Sequence, residues 1–172
     1  MEDVPLFSRR PALPDAVRRA LHLAPGDRVL ASAAVPGDRW FAASREALHL
    51  VDGETVTRHP WTDVDRASFA PEPPAITVHW VTGAVQEIAL TPPIPVAFAQ
   101  IFRERVQQSV VHVETVTPPR SAPVRVVLRR GEGGDLFTQV IGPGTVDVAD
   151  PHVRAVLEDA EERVRAAAGL RG

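Results

Sequence analysis

Six histidines, 22 carboxylates and 19 basic side chains are this chain's stock of groups for acid–base, metal or anion chemistry. Their spacing decides which chemistry is open to them. His22, His49, His59, His79, His112 and His152 nowhere stand at His-x-His or His-x-x-x-His spacing, and no local carboxylate completes a ligand set. His49 and His79 fall beside apolar neighbours on strand-like runs, so solvent-facing or hydrogen-bonded histidines are expected there. Asp63-Val64-Asp65 would place two carboxylates on one face of a strand, where they could share a cation. No nucleotide-binding βαβ pattern surrounds it, and a solvated strand face is the expectation. Gly131-Glu132-Gly133-Gly134-Asp135 and Gly142-Pro143-Gly144 lack the strand–loop–helix setting that cradles phosphate, and read as loops. Neither a Gly-x-Ser-x-Gly elbow nor a kinase signature occurs. Lysine is absent, which removes Schiff-base chemistry and the P-loop lysine; cysteine is absent, which removes disulfides, thiolate nucleophiles and thiolate metal sites. The expectation is a non-enzymatic protein without catalytic, cofactor-binding or metal-binding residues.

Binding surfaces are the remaining option. Arg125, Val127 and Arg129 share one face of a strand-like run, opposite Val124, Val126 and Leu128, with Arg120 and Arg130 nearby. This is the densest positive patch, suited in principle to an acidic partner or nucleic acid. Glu132 and Asp135 follow directly and no aromatics interleave, so the expected state is a charged solvent face. Trp40, Trp61 and Trp80 could form an aromatic ligand site or simply pack. Trp80 alternates in phase with Ile76 and Val78 and reads as core, whereas Trp61, beside Pro60, is open between the two readings. Trp61, Arg125 and Arg129 are therefore the candidate interaction residues.

The elements that must position these groups follow from punctuation. Residues 1–12 read as a tail, and Pro14–Leu23 as a short helix stopped by Pro25-Gly26. Strands are expected at Arg28–Val35, Arg39–Ser44, Glu46–Val51, Thr55–His59, Val64–Phe69, Ile76–Trp80 and Val85–Leu90, with Asp52-Gly53 as a hairpin signal. The period then changes: Phe98, Ile101, Phe102 and Val106 recur at helical spacing after Pro95, opposite Gln100, Arg103, Glu104, Gln107 and Gln108. Three further strands are expected at Val110–Val116, Val124–Arg130 and Leu136–Ile141. A last helix is capped by Asp150 and opened by Pro151; Val153, Val156, Leu157, Ala160 and Val164 form its apolar face, and Gly169 ends it.

Composition is that of an ordinary globular chain: 172 residues, 44% hydrophobic, 24% charged, net charge −3. At this size folding buries roughly 68–70% of the unfolded surface without staples. The mild negative balance gives no general drive toward nucleic acid or an anionic membrane. The acidic start, Met1-Glu2-Asp3-Val4-Pro5-Leu6-Phe7, lacks the sustained apolar core of a signal peptide, and no run approaches the ~18 apolar residues of a membrane span. A cytoplasmic location is expected.

The order of seven strands and an amphipathic helix over residues 27–108 resembles a bacterial pleckstrin-homology-like (PH-like) domain. Three stretches carry the likeness: Trp40 to Gly53 as a strand–turn–strand, His59-Pro60-Trp61-Thr62-Asp63-Val64 as a proline–aromatic step into a later strand, and the helix bearing Phe98, Ile101 and Phe102. The resemblance implies a partial barrel closed by that helix, and a partner-binding role through a groove or strand edge. It departs from the lipid-binding branch at Val35-Pro36-Gly37-Asp38-Arg39, where one arginine stands beside an aspartate in place of a basic cluster. The expected architecture is α+β, mainly antiparallel: residues 1–23 as tail and short helix, 24–108 as the PH-like barrel with its capping helix, and 109–172 as a small three-stranded lobe with a C-terminal helix. The expected function is non-catalytic binding or scaffolding of an unidentified protein partner, with no nucleic acid and no stable membrane association. A small-molecule or lipid site at the barrel mouth is the alternative.

Overall fold

Pro36-Gly37-Asp38 can reverse the chain as a three-residue connection between the paired Val35 and Arg39 because Gly37 (φ 83°) and Asp38 (φ 57°) both take left-handed backbone. In the computed structural model, which describes residues 12–170, this turn joins β1 (Val29–Val35) to β2 (Arg39–Ser44). The next strands are β3 (Ala47–Asp52) and β4 (Thr55–Pro60). A 3-10 turn, Trp61–Asp63, leads into β5 (Val64–Pro71), β6 (Pro74–Trp80) and β7 (Val85–Ala89). Helix α2 (Val96–Ser109) runs directly into β8 (Val110–Val116), followed by β9 (Val124–Arg130), β10 (Leu136–Ile141) and α3 (Pro151–Ala167). The short α1 (Asp15–Ala20) ends earlier than its sequence signal, as His22 turns to φ 43°. Residues 1–11 of the expected tail lie outside the described residues.

The strands form three sheets of order β1-β2-β3-β4, β5-β6-β7 and β10-β9-β8, so the protein is α+β with mainly antiparallel pairing and a C-terminal helix. Among the described residues no helix is long and apolar enough to cross a membrane. The chain divides into two compact units. One comprises residues up to His59 with Phe69–Ile76 and Glu87–Phe102; the other comprises Pro60–Ser68, Thr77–Gln86 and residues from Arg103 onward.

In the first unit the apolar stripe of α2 makes an aromatic cluster. Phe98 stacks on Phe41 of β2 at 6.0 Å and meets Phe69 of β5 edge-on at 6.2 Å, while Phe102 meets Phe69 at 5.9 Å. Phe98 and Phe102 are fully buried, and such ring pairs add stabilisation beyond their buried area. A second cluster packs Leu13 and Leu21, flanking α1, onto Ala42 and Val51.

In the second unit, α3 covers one face of the β10-β9-β8 sheet. Val124, Val126 and Leu128 of β9 meet Val153, Leu157, Ala160 and Val164 of α3, the spacing of one helical face. Arg163 clasps Glu114 of β8 at the rim with contacts of 2.6–3.1 Å. Asp150 caps α3 by accepting the His152 N–H at 2.8 Å. That hydrogen bond is the leading reason its carboxyl lies below the ordinary 3.8, with the Val153 N–H and the charges of His152 and Arg120 acting in the same direction.

Two predictions follow from this packing. Phe102→Asp places a charge in the aromatic cluster; loss of the buried ring alone costs about 3–5 kcal/mol, so the variant is expected to unfold or aggregate. An unchanged melting temperature would refute the assignment of that face. The second concerns Asp150, whose folded-state pKa is lower than its unfolded one. Its stabilisation is therefore complete above the ordinary value and disappears as pH falls through the lower folded-state value. Thermal melts of Asp150→Ala against the parent should show a gap that is constant near neutrality and closes in acid; a gap that widens in acid would contradict the cap.

Candidate functional site

Strand β9 pairs on both sides, and its register places Thr115 of β8, Arg125 of β9 and Ile141 of β10 side by side in one rung. The next rungs on that face hold Val113, Val127 and Gln139, then Arg129 with Phe137. This is the face expected to be solvated. The structure corrects that reading, because the segment Trp61–Asp65 lies against it. Gln139 Nε2 donates to the Thr62 carbonyl at 3.2 Å. Arg129 Nη2 donates to the Val64 carbonyl at 3.1 Å and Nη1 to Ser109 Oγ at 2.7 Å. Val127 and Arg129 are buried, Arg129 with 1% of its surface exposed. Arginine can occupy such a face because its stem is apolar and only the tip needs acceptors.

The buried guanidinium stays protonated, yet burial, the largest influence on it, pulls it below its ordinary value; the carboxylates of Asp65 and Asp63 oppose that shift and Arg125 adds to it. Its Nε finds no hydrogen-bond partner among the described residues. Arg129 is thus an internal tie between β9, the start of β5 and the end of α2, and is not an interaction surface. Trp61, 5% exposed, is likewise buried within the 3-10 turn and cannot serve as a rim contact.

Arg125 is the one candidate interaction residue that reaches solvent. Its Nη2 donates to both oxygens of Asp65, at 2.6 and 2.7 Å, with the Asp65 side chain 5% exposed and that of Arg125 37%. Asp65 is therefore neither solvated nor paired with Asp63 for a cation; it holds Arg125. On its other side Arg66 Nη1 donates to Asp65 Oδ2 at 3.1 Å, while Arg66 Nη2 donates to His79 Nδ1 at 3.2 Å. A guanidinium has donors only, so His79 Nδ1 is the acceptor in this contact. Beside His79, Trp80 is half-buried rather than core and lines the cleft.

Together these side chains line an open cleft of about 580 Å³, completed by Gly83, Val85, Thr115, Pro123, Ile141, Gly142 and Pro143. All of them belong to the second unit. Asp65 is the only acidic residue in the lining, against two arginines. Gly142 is dictated by space rather than by a special φ: a Cβ there would stand 2.5 Å from Val124 Cγ1. Among the described residues no group of three His, Asp or Glu side chains gathers as a metal site would require.

Sequence reasoning singled out Arg125, noted Trp80 and His79 separately, and did not join them. The signal was partly present in Asp63-Val64-Asp65, whose second carboxylate organises the cleft, but nothing local names its partner 60 residues away. No family model matches the chain, and no curated protein or solved structure matches it either.

Two substitutions test this account. Arg129→Ala deprives two buried acceptors of their donor, at about 1–3 kcal/mol each, whereas the neighbouring exposed Arg130→Ala should move stability by no more than about 0.5 kcal/mol. Equal urea midpoints for the two variants would refute the internal tie. Gly142→Ala should destabilise through overpacking by about 1–3 kcal/mol. Adding Val124→Ala should relieve part of that loss, so a double-mutant cycle in chemical denaturation with zero coupling would show that the two positions do not meet.

Proposed function

We propose that this protein is a non-catalytic binding or scaffold module that recognises a protein partner in the cytoplasm. The observation that carries the reading is the cleft around Arg66, Arg125, His79 and Trp80. It is open to solvent, has a volume within the range of binding sites, about 300–1,000 Å³, and mixes guanidinium donors with a partly exposed indole. Arginine and tryptophan are the residue types that most often anchor partners. Its polar groups are tied to one another through an ion pair and a histidine hydrogen bond, which is an arrangement for fixing donors in place.

A PH-like architecture for residues 27–108 is part of the same proposal. It is supported by the division of the first seven strands into sheets of four and three, by the helix that follows them, and by the cluster in which Phe98 and Phe102 of that helix meet Phe41 and Phe69 from the two sheets. Such a fold fixes no chemistry by itself, so the functional weight rests on the cleft. A small-molecule ligand is the second reading, supported by the cleft's volume.

The test is affinity purification of tagged protein from its native cell at physiological salt, run beside sedimentation with anionic and phosphoinositide liposomes. We expect a discrete protein partner and no liposome enrichment, given the net charge of −3 and the single arginine at the Val35–Arg39 turn. Salt-sensitive liposome binding without a protein partner would overturn the reading in favour of a lipid ligand.

A further inference from the structure

Charge in the cleft does not balance. Asp65 carries one negative charge and is flanked by Arg66 and Arg125, which carry two positive ones. Arg125 reaches Asp65 through Nη2 alone, at 2.6 and 2.7 Å, which leaves its Nε–H and the Nη1 hydrogens outside that pair. Arg66 contacts Asp65 and His79 through its two Nη atoms while 63% of its side chain remains exposed. Asp65 thus does two things: it orients both guanidiniums, and it lowers their joint charge to a single surplus unit. Such a site fits a monoanion with planar, paired acceptors better than a dianionic phosphate, which wants more cations and more donors. Around the guanidiniums the lining is apolar or aromatic, from Trp80, Val85, Pro123, Ile141 and Pro143.

We propose that this cleft is a recognition site for a carboxylate carried next to an apolar or aromatic group. The carboxylate takes the free donors of Arg66 and Arg125, and the adjacent group lies against Trp80 and Ile141. This deepens the binding-module reading and rests on it for one choice only, the source of the carboxylate. A partner protein would present it at a chain terminus ending in an apolar residue; a metabolite would present it as a free aromatic acid. The site chemistry is the same in both.

The experiment is isothermal titration of the full chain with four probes: the peptide Gly-Gly-Phe with a free C-terminus, the same peptide as its C-terminal amide, phenylacetate, and inorganic phosphate. Each is repeated on Arg66→Ala, which keeps the Asp65–Arg125 pair and so should leave the melting temperature unchanged, and on Arg154→Ala, an exposed charge change on α3. Binding of the free-acid peptide that is lost in its amide, and weakened about tenfold or more by Arg66→Ala but not by Arg154→Ala, supports the proposal. Binding of phenylacetate alone with the same dependence on Arg66 supports the site and overturns the protein-partner reading. Equal binding of acid and amide, tighter binding of phosphate than of either carboxylate, indifference to Arg66→Ala, or no heat from either carboxylate probe at millimolar concentration overturns the site. In each of these last cases a protein partner recovered from cells would still stand, bound at another surface.

Discussion

An arginine cannot shed its proton at any pH a protein survives, so burying one dictates what surrounds it. Arg129 imposes that constraint on the second unit. Its guanidinium has to find acceptors inside, and it finds the Val64 carbonyl and Ser109 Oγ, which belong to the start of β5 and the end of α2. Three segments far apart in the chain are thereby held to one charge. Nearby negative charge is needed as well, because two hydrogen bonds do not replace a hydration shell. Asp65 and, more weakly, Asp63 supply it, and Asp65 also binds Arg125 and Arg66. The cleft and the buried arginine thus share a carboxylate: Asp65, whose charge opposes the effect of burial on Arg129, also sets the two cleft arginines.

Much of the architecture is legible because local signals suffice for it. Strands β2, β8, β9 and β10 begin and end where turn residues and alternation place them. Helix α3 has its aspartate cap, its first-turn proline and Gly169 at φ 75° just past its end. The failures share a cause. Alternation on β9 predicts apolar residues inward and charged ones outward, which holds for a sheet with one wet face. Here the second face is covered at Val127 and Arg129, and arginine serves there as a core residue because its stem packs while its tip hydrogen-bonds. Hydropathy treats Arg125, Arg129 and Arg130 alike; the structure makes them a cleft donor, an internal tie and a surface charge.

The tryptophans show the same limit. Phase with Ile76 and Val78, both fully buried, predicts a core position for Trp80, yet it is half-buried at the last position of its strand. Trp61, left open between packing and binding, is the buried one. Period predicts which face a side chain takes; it does not say how far along the strand that face remains covered. Likewise the pairing of Asp65 with Arg125 has no local signature, since it depends on which segments meet.

The distance in sequence between these partners has a temporal meaning. A ribosome releases Asp65 60 residues before Arg125, an interval of roughly 3–12 s at about 5–20 residues per second. For that time the carboxylate has only water and its neighbour Arg66 to satisfy it, and the Val64 carbonyl awaits a donor that has not been made. The segment around the 3-10 turn must therefore stay hydrated while the strands before it are already free to pair. Completion of the second unit is deferred to the emergence of β9, so the cleft comes into being only after every strand of the first unit has been made.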